Sequence, residues 1–186
     1  MIKKIALLSL TLVFFISCNT SKETLQQEDL KQIDVNGLYS LSVPKYMDEM
    51  KTLNDDASFE YANIFKEVYT IVIDEKTDDF VKTFEAIDMY DKEKTALENY
   101  DIIQKKYLGE GIENLIITPT ELSEINSLKA KQSYFNGEVD DLKIAYLISF
   151  IEGGDNLFMV MSWTLADRLE KYDSTLKLIH NSFKLN

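Results

Sequence analysis

Two neighbouring segments constrain the fold more than anything else in the chain. Along Ile144 to Ile151 one face carries Ile144, Tyr146, Ile148 and Phe150, and the other Ala145, Leu147, Ser149 and Ile151. Leu157, Met159, Met161 and Trp163 likewise oppose Phe158, Val160, Ser162 and Thr164. A strand apolar on one face can lie against water on the other, whereas a strand apolar on both must be covered on both. Only Glu152-Gly153-Gly154-Asp155-Asn156 separates the two. A connection that short joins antiparallel neighbours, because a parallel crossover needs a dozen residues or more.

The cover has to come from elsewhere in the chain. From about Asp78 to Tyr107 the apolar period changes, and Leu97, Tyr100, Ile103 and Tyr107 recur at helical steps. Leu165, Leu169, Tyr172, Leu176, Ile179 and Phe183 form the stripe of a second amphipathic helix. Further strands are expected over Leu38 to Val43, Ala57 to Tyr61, Val68 to Ile73, Asn114 to Thr118 and Leu128 to Phe135, with Asn136-Gly137-Glu138 as a turn. The expected class is α+β: an antiparallel sheet covered by helices on both faces.

A short strand closed by proline (Tyr39-Ser40-Leu41-Ser42-Val43-Pro44) opens this part. A two-strand unit follows through Phe59-Glu60-Tyr61 and Tyr69-Thr70-Ile71-Val72-Ile73. Then come a helix, a meander containing Tyr146-Leu147-Ile148-Ser149-Phe150, and a last helix ending Ile179-His180-Asn181-Ser182-Phe183. This layout resembles the PsbP/DcrB family over residues 36–186. The resemblance implies an α/β/α sandwich and an accessory or binding role, some members being envelope lipoproteins. It supplies no catalytic motif, so no functional residue is carried over.

The N-terminal stretch bears on location. Lys3 and Lys4 precede an apolar run from Ile5 to Ile16, followed by Ser17 and by Cys18, the single cysteine. A basic start, an apolar run too short to span a bilayer and a small residue before the cut mark a secretory signal. Ile16-Ser17-Cys18 resembles the bacterial lipoprotein signal, in which Cys18 is acylated and becomes the new N-terminus. The expected organisation is a signal peptide over 1–17, the lipidated Cys18 with a polar tether over 18–35, and the domain over 36–186. Removing 1–17 takes away two lysines and no acid, which moves the formal charge from −12 to −14. Such a surface disfavours nucleic acid as a partner.

Candidate chemistry is sparse. His180 is the only histidine. It lies near a helix C-terminus, where a partly positive imidazole suits the helix dipole, and it has no evident nucleophile or orienting group. Asp55-Asp56, Asp74-Glu75, Asp78-Asp79 and Asp140-Asp141 lack the spacing of a calcium loop and read as solvated turn residues. Gly109-Glu110-Gly111 leaves a helix instead of opening one, and so reads as a helix stop rather than a phosphate loop. Asn19-Thr20-Ser21 fits a glycosylation acceptor but sits beside the lipid cysteine. Trp163 reads as core, while Tyr90 and Tyr134 fall outside the core stripes and could line a cleft or a docking patch.

No catalytic residue, metal site or cofactor is expected. The function expected is that of a lipid-anchored accessory protein of the bacterial envelope, on the outer membrane or the periplasmic face of a membrane, binding another envelope protein. A periplasmic small-ligand binder is the alternative.

Overall fold

The computed structural model describes residues 21–186. The expected signal peptide over 1–17 and the expected lipidation site Cys18 therefore lie outside the described residues. Eleven strands and three α-helices follow in the order β1 (Leu30–Val35), β2 (Tyr39–Pro44), β3 (Asp48–Glu49), β4 (Phe59–Asn63), β5 (Val68–Lys76), α1 (Thr77–Glu85), α2 (Ala96–Glu110), β6 (Glu113–Pro119), β7 (Glu124–Ile125), β8 (Leu128–Val139), β9 (Leu142–Gly153), β10 (Asn156–Leu165), α3 (Leu169–Asn181) and β11 (Lys184–Leu185). An eight-stranded sheet runs β3-β4-β5-β10-β9-β8-β6, with β7 paired to β8, and a three-stranded sheet runs β1-β2-β11. The pairings are antiparallel throughout. The expected mixed α+β class with an antiparallel sheet is what the chain adopts.

The two doubly apolar segments are β9 and β10, the centre of the large sheet. Leu147, Ile151, Phe158 and Val160 pack with Tyr172, Leu176 and Ile179 of α3 and with Tyr39, Leu41 and Val43 of β2. The alternate residues Ile148, Phe150, Leu157 and Met159 pack with Phe80 of α1 and with Leu97, Tyr100 and Ile103 of α2. A second small sheet thus shares the α3 side, which an expectation of helices alone omits.

That small sheet corrects the reading of residues 18–35 as a tether. From Glu23 onward the chain is part of the fold, and Leu30–Val35 pairs along its whole length with Tyr39–Pro44. The overlooked signal is Asn36-Gly37, both at positive φ, the pair most suited to a tight hairpin turn. Asn136-Gly137-Glu138 errs the other way: it lies inside β8. Gly137 is there because the β6 segment crosses it closely. A Cβ at that position would sit 2.3 Å from Ile112 Cγ2 and 2.7 Å from the Glu113 carbonyl oxygen, beside a bulge in β6.

The stretch 78–107 is two helices and not one. Asp88 has φ 54°, and α2 restarts with a capping box in which Thr95 and Glu98 satisfy each other's backbone N–H groups. Asn99 ties the linker down by accepting from Asp91 N–H at 2.8 Å. α2 ends at Glu110 with Gly111 as its cap, the helix stop expected of Gly109-Glu110-Gly111.

Asp140 and Asp141 form the two-residue turn between β8 and β9, with φ of 50° and 65°. Two adjacent aspartates at positive φ are a poor solution where Asn-Gly is preferred. The double change Asp140→Asn, Asp141→Gly is expected to stabilise the domain by about 1 kcal/mol, raising Tm by roughly 2–4 °C. A lowered Tm in thermal unfolding would contradict this account of the turn.

Candidate functional site

His180 departs from the terminal, partly charged residue expected of it. It is fully buried, with Nδ1 2.7 Å from Ser149 Oγ and Nε2 3.0 Å from Ser162 Oγ. Gln132 Nε2 donates to Ser149 Oγ at 2.9 Å, and Ser162 Oγ meets Thr70 Oγ1 at 2.8 Å. One direction satisfies the chain: Gln132 donates to Ser149, Ser149 to Nδ1, and the protonated Nε2 to Ser162. Burial lowers the imidazole pKa to about 3, so the ring is neutral. Ser149, Ser162 and Thr70 are each 0% exposed. A Ser–His pair sealed from solvent on every side offers no substrate access, and the network is a polar seam between α3 and the sheet.

Among the described residues no three His, Cys, Asp or Glu side chains converge as a metal site. Asp78 and Asp79 instead line an open cleft with Lys76, Lys82, Glu152 and Asp155. A cleft of about 600 Å³ lies between the start of α2 and β8 and includes Leu97, Asp101, Lys105, Lys131, Gln132 and Ser133. Tyr134 is not free to line a pocket, because its hydroxyl donates to Asp173 on α3. Tyr90 packs against the α1–α2 cluster, edge-on to Phe80.

Trp163 is the residue whose placement matters most. It is half-buried, not core. In register it pairs with Tyr69 on one side and Tyr146 on the other, all three on the sheet face that α1 and α2 partly cover. The Trp163 ring stacks on Tyr69 at 5.2 Å and 7° and lies 6.0 Å from Tyr146 at 38°. The reason is length. β9, with 12 residues, is about 40 Å long, whereas α2, with 15, spans about 22 Å, so the cover runs out before the strands do. What remains is a half-exposed aromatic row across β5, β10 and β9. Burial raises the Tyr146 pKa, and burial together with Glu67 raises that of Tyr69 against an opposing Arg168, so both hydroxyls stay protonated donors. Sequence periodicity shows each of these residues on an apolar face, but only register aligns them.

The chain after Cys18 enters the fold at the same end of the sheet. Glu23 N–H donates to the Lys171 carbonyl at 2.8 Å, and Ser174 Oγ donates to the Glu23 carbonyl at 2.7 Å. The Glu23 carboxylate accepts from Tyr46 at 2.6 Å, Thr175 at 2.8 Å and Lys66 at 3.0 Å. Burial alone would raise its pKa, but these three donors and the Lys66 charge outweigh burial and lower it. Lys66 also lies over the Tyr46 ring, 4.5 Å from its centroid. Among the described residues no helix is long and apolar enough to cross a membrane.

No family model and no curated protein matches this chain by sequence. Solved structures match by shape. The solution structure of the cyanobacterial PsbP (CyanoP) from Synechocystis sp. PCC 6803 aligns over 89% of this chain and 98% of its own, with TM-score 0.55 and 15% identity. The fold is PsbP-like. A protein of Bacteroides thetaiotaomicron aligns over 85% of this chain and 49% of its own, with TM-score 0.52 and 9% identity. LpqN, involved in cell envelope biogenesis of Mycobacterium tuberculosis, aligns over 80% and 83%, with TM-score 0.46 and 8% identity. At these identities the likeness is one of fold, and the strand-Pro start and helix-Ser-Phe finish pointed to it.

Proposed function

We propose that this chain is a lipid-anchored accessory protein of the bacterial envelope. In this reading a PsbP-like α/β/α sandwich, held at a membrane by acyl chains on Cys18, binds another envelope protein and carries out no catalysis. The outer membrane or the periplasmic face of a membrane is the proposed site. The observation that carries the binding role is the Tyr69–Trp163–Tyr146 row. Tyr and Trp are the side chains that most often anchor protein interfaces, because they bury large rigid area and keep a polar handle. Partly exposed and side by side, with Tyr146 at the edge of the cluster beneath α1 and α2, they offer the rigid aromatic area a docking patch uses.

The test is cross-linking in living cells with tagged wild type, Cys18→Ser and Trp163→Ala. Wild type is expected to capture one envelope protein. Trp163→Ala is expected to weaken purified binding at least about tenfold while the circular dichroism stays native, in line with loss of an interface anchor. Trp163 is the only tryptophan, so its emission reports the patch directly. It should be open to acrylamide before the partner binds and shielded afterwards. An emission spectrum typical of a buried indole, or equal capture by wild type and Trp163→Ala, would remove the row from the interface. A thermal shift with small molecules in place of a protein partner would favour the cleft beside α2 and the small-ligand reading.

A further inference from the structure

Phe65, at 89%, is the most exposed large apolar side chain among the described residues, and its neighbour Ile64 stands at 56%. Both sit on the four-residue turn joining Asn63 of β4 to Val68 of β5. The turn is firmly built. Lys66 N–H donates to Asn63 Oδ1 at 2.9 Å, and Asn63 Nδ2 donates to the Tyr46 carbonyl at 2.7 Å. Arg168 donates to the Lys66 carbonyl at 3.1 Å and pairs with Glu67 at 3.1 Å. A scaffold that holds two apolar side chains out in water gains nothing within the monomer, and such a feature marks a contact surface.

We infer that Ile64 and Phe65 insert into the lipid bilayer beside the acyl anchor. This rests on the reading of Cys18 as lipidated. Glu23 is locked to the fold, and its carboxylate is 3.0 Å from the ammonium of Lys66, the residue after Phe65. Cys18 lies five residues before Glu23, a reach of at most about 18 Å in extended chain. Acyl chains on Cys18 must therefore enter the membrane close to this turn. Lys66 and Arg168 are paired with Glu23 and Glu67, so the contact is apolar in character and needs no anionic lipid. The anchor supplies affinity, and the turn supplies a second point of contact that fixes orientation. Tyr69 follows Glu67 by two residues, which sets the aromatic row at the membrane end of the domain. A partner docking on that row is therefore met close to the membrane surface.

The test uses the full-length mature lipoprotein with Phe65→Cys carrying an environment-sensitive fluorophore, since acylation consumes the Cys18 thiol. Lys82→Cys on α1, at the opposite end of β5, is the control. Both are reconstituted with phosphatidylcholine vesicles containing nitroxide-labelled phosphatidylcholine, and flotation is read alongside. The expected result is flotation of both proteins, a blue shift and strong quenching at position 65, and neither at position 82. Flotation without quenching at 65 would overturn the insertion while leaving the anchor in place. Failure to float would overturn the anchor and the insertion together.

Discussion

Acidification is expected to unfold this protein through His180. The imidazole stays neutral in the fold down to a pH of about 3, whereas in the unfolded chain it takes up a proton near 6.5. Below 6.5 the unfolded state therefore binds a proton that the native state refuses. The stability His180 contributes is present above 6.5 and is lost as pH falls toward 3, by up to about 1.4 kcal/mol per pH unit. His180→Leu tests the origin of that slope. At pH 7.5 the variant leaves the Ser149 and Ser162 hydroxyls without their partner and should lose about 2–4 kcal/mol. On acidification wild type weakens by the His180 term and the variant does not, so the gap between their urea-unfolding free energies should narrow and close near pH 4 to 5. Carboxylate titration is common to both proteins and cancels in the difference. Parallel curves for the two across this range would show that His180 carries no proton linkage.

How much of this was readable beforehand follows from which interactions are local. Residues 144–151 and 157–164 announce central strands because alternation is a property of each strand alone. The stripe at Tyr172, Leu176 and Ile179 announces α3 for the same reason. The capping box at Thr95 and Glu98 was also local, and it marks the restart of α2 that splits the expected 78–107 stretch. Asn36-Gly37 was legible as a hairpin, yet the polar character of Lys31, Gln32 and Asp34 concealed the β1 strand before it. Gln32 and Asp34 point outward, whereas Lys31 shares the inner side with Ile33 and Val35, its ammonium donating to the Met47 carbonyl and lying over the Tyr61 ring.

The site was harder to see, because it is made by register. Ser149 and Ser162 stand out as hydroxyls inside apolar strands, but nothing local says that both face His180 across α3. Tyr69, Trp163 and Tyr146 lie far apart in sequence and become a row only when β5, β10 and β9 align. Trp163 was misplaced in the core by an assumption about extent. A helix covers strand length at less than half a strand's rise per residue, so strands as long as β9 and β10 outrun the helices above them.

The second large effect is expected at Glu23, and it joins stability to function. Its side chain is 12% exposed and holds Tyr46, Thr175 and Lys66. Glu23→Ala removes the common acceptor of two hydroxyls and one ammonium, and a loss of about 2–3 kcal/mol is expected. Lys66 is solvated enough that the full cost of an orphaned charge does not arise. Because the Glu23 pKa is lowered in the fold, its contribution is complete above the usual carboxylate range and is lost as pH falls through it. The larger consequence is mechanical. Glu23→Ala keeps the backbone bonds of Glu23 to Lys171 and Ser174 but strips the side-chain lock that supports them. Once those two open, the next held residue is Asp29, whose carbonyl accepts from Lys45 N–H. The chain from Cys18 then reaches about 40 Å instead of about 18 Å. On the proposed reading the acyl anchor on Cys18 would survive, while the constraint that keeps the Phe65 turn at the bilayer would be lost. Amide exchange over residues 21–29 should accelerate in Glu23→Ala, and quenching of a fluorophore at position 65 by nitroxide lipid should fall while flotation stays complete. Unchanged exchange together with an unchanged Tm would show that Glu23 does not hold the N-terminal segment. Glu23→Gln retains an acceptor for Tyr46 and Thr175, and is expected to fall between the two.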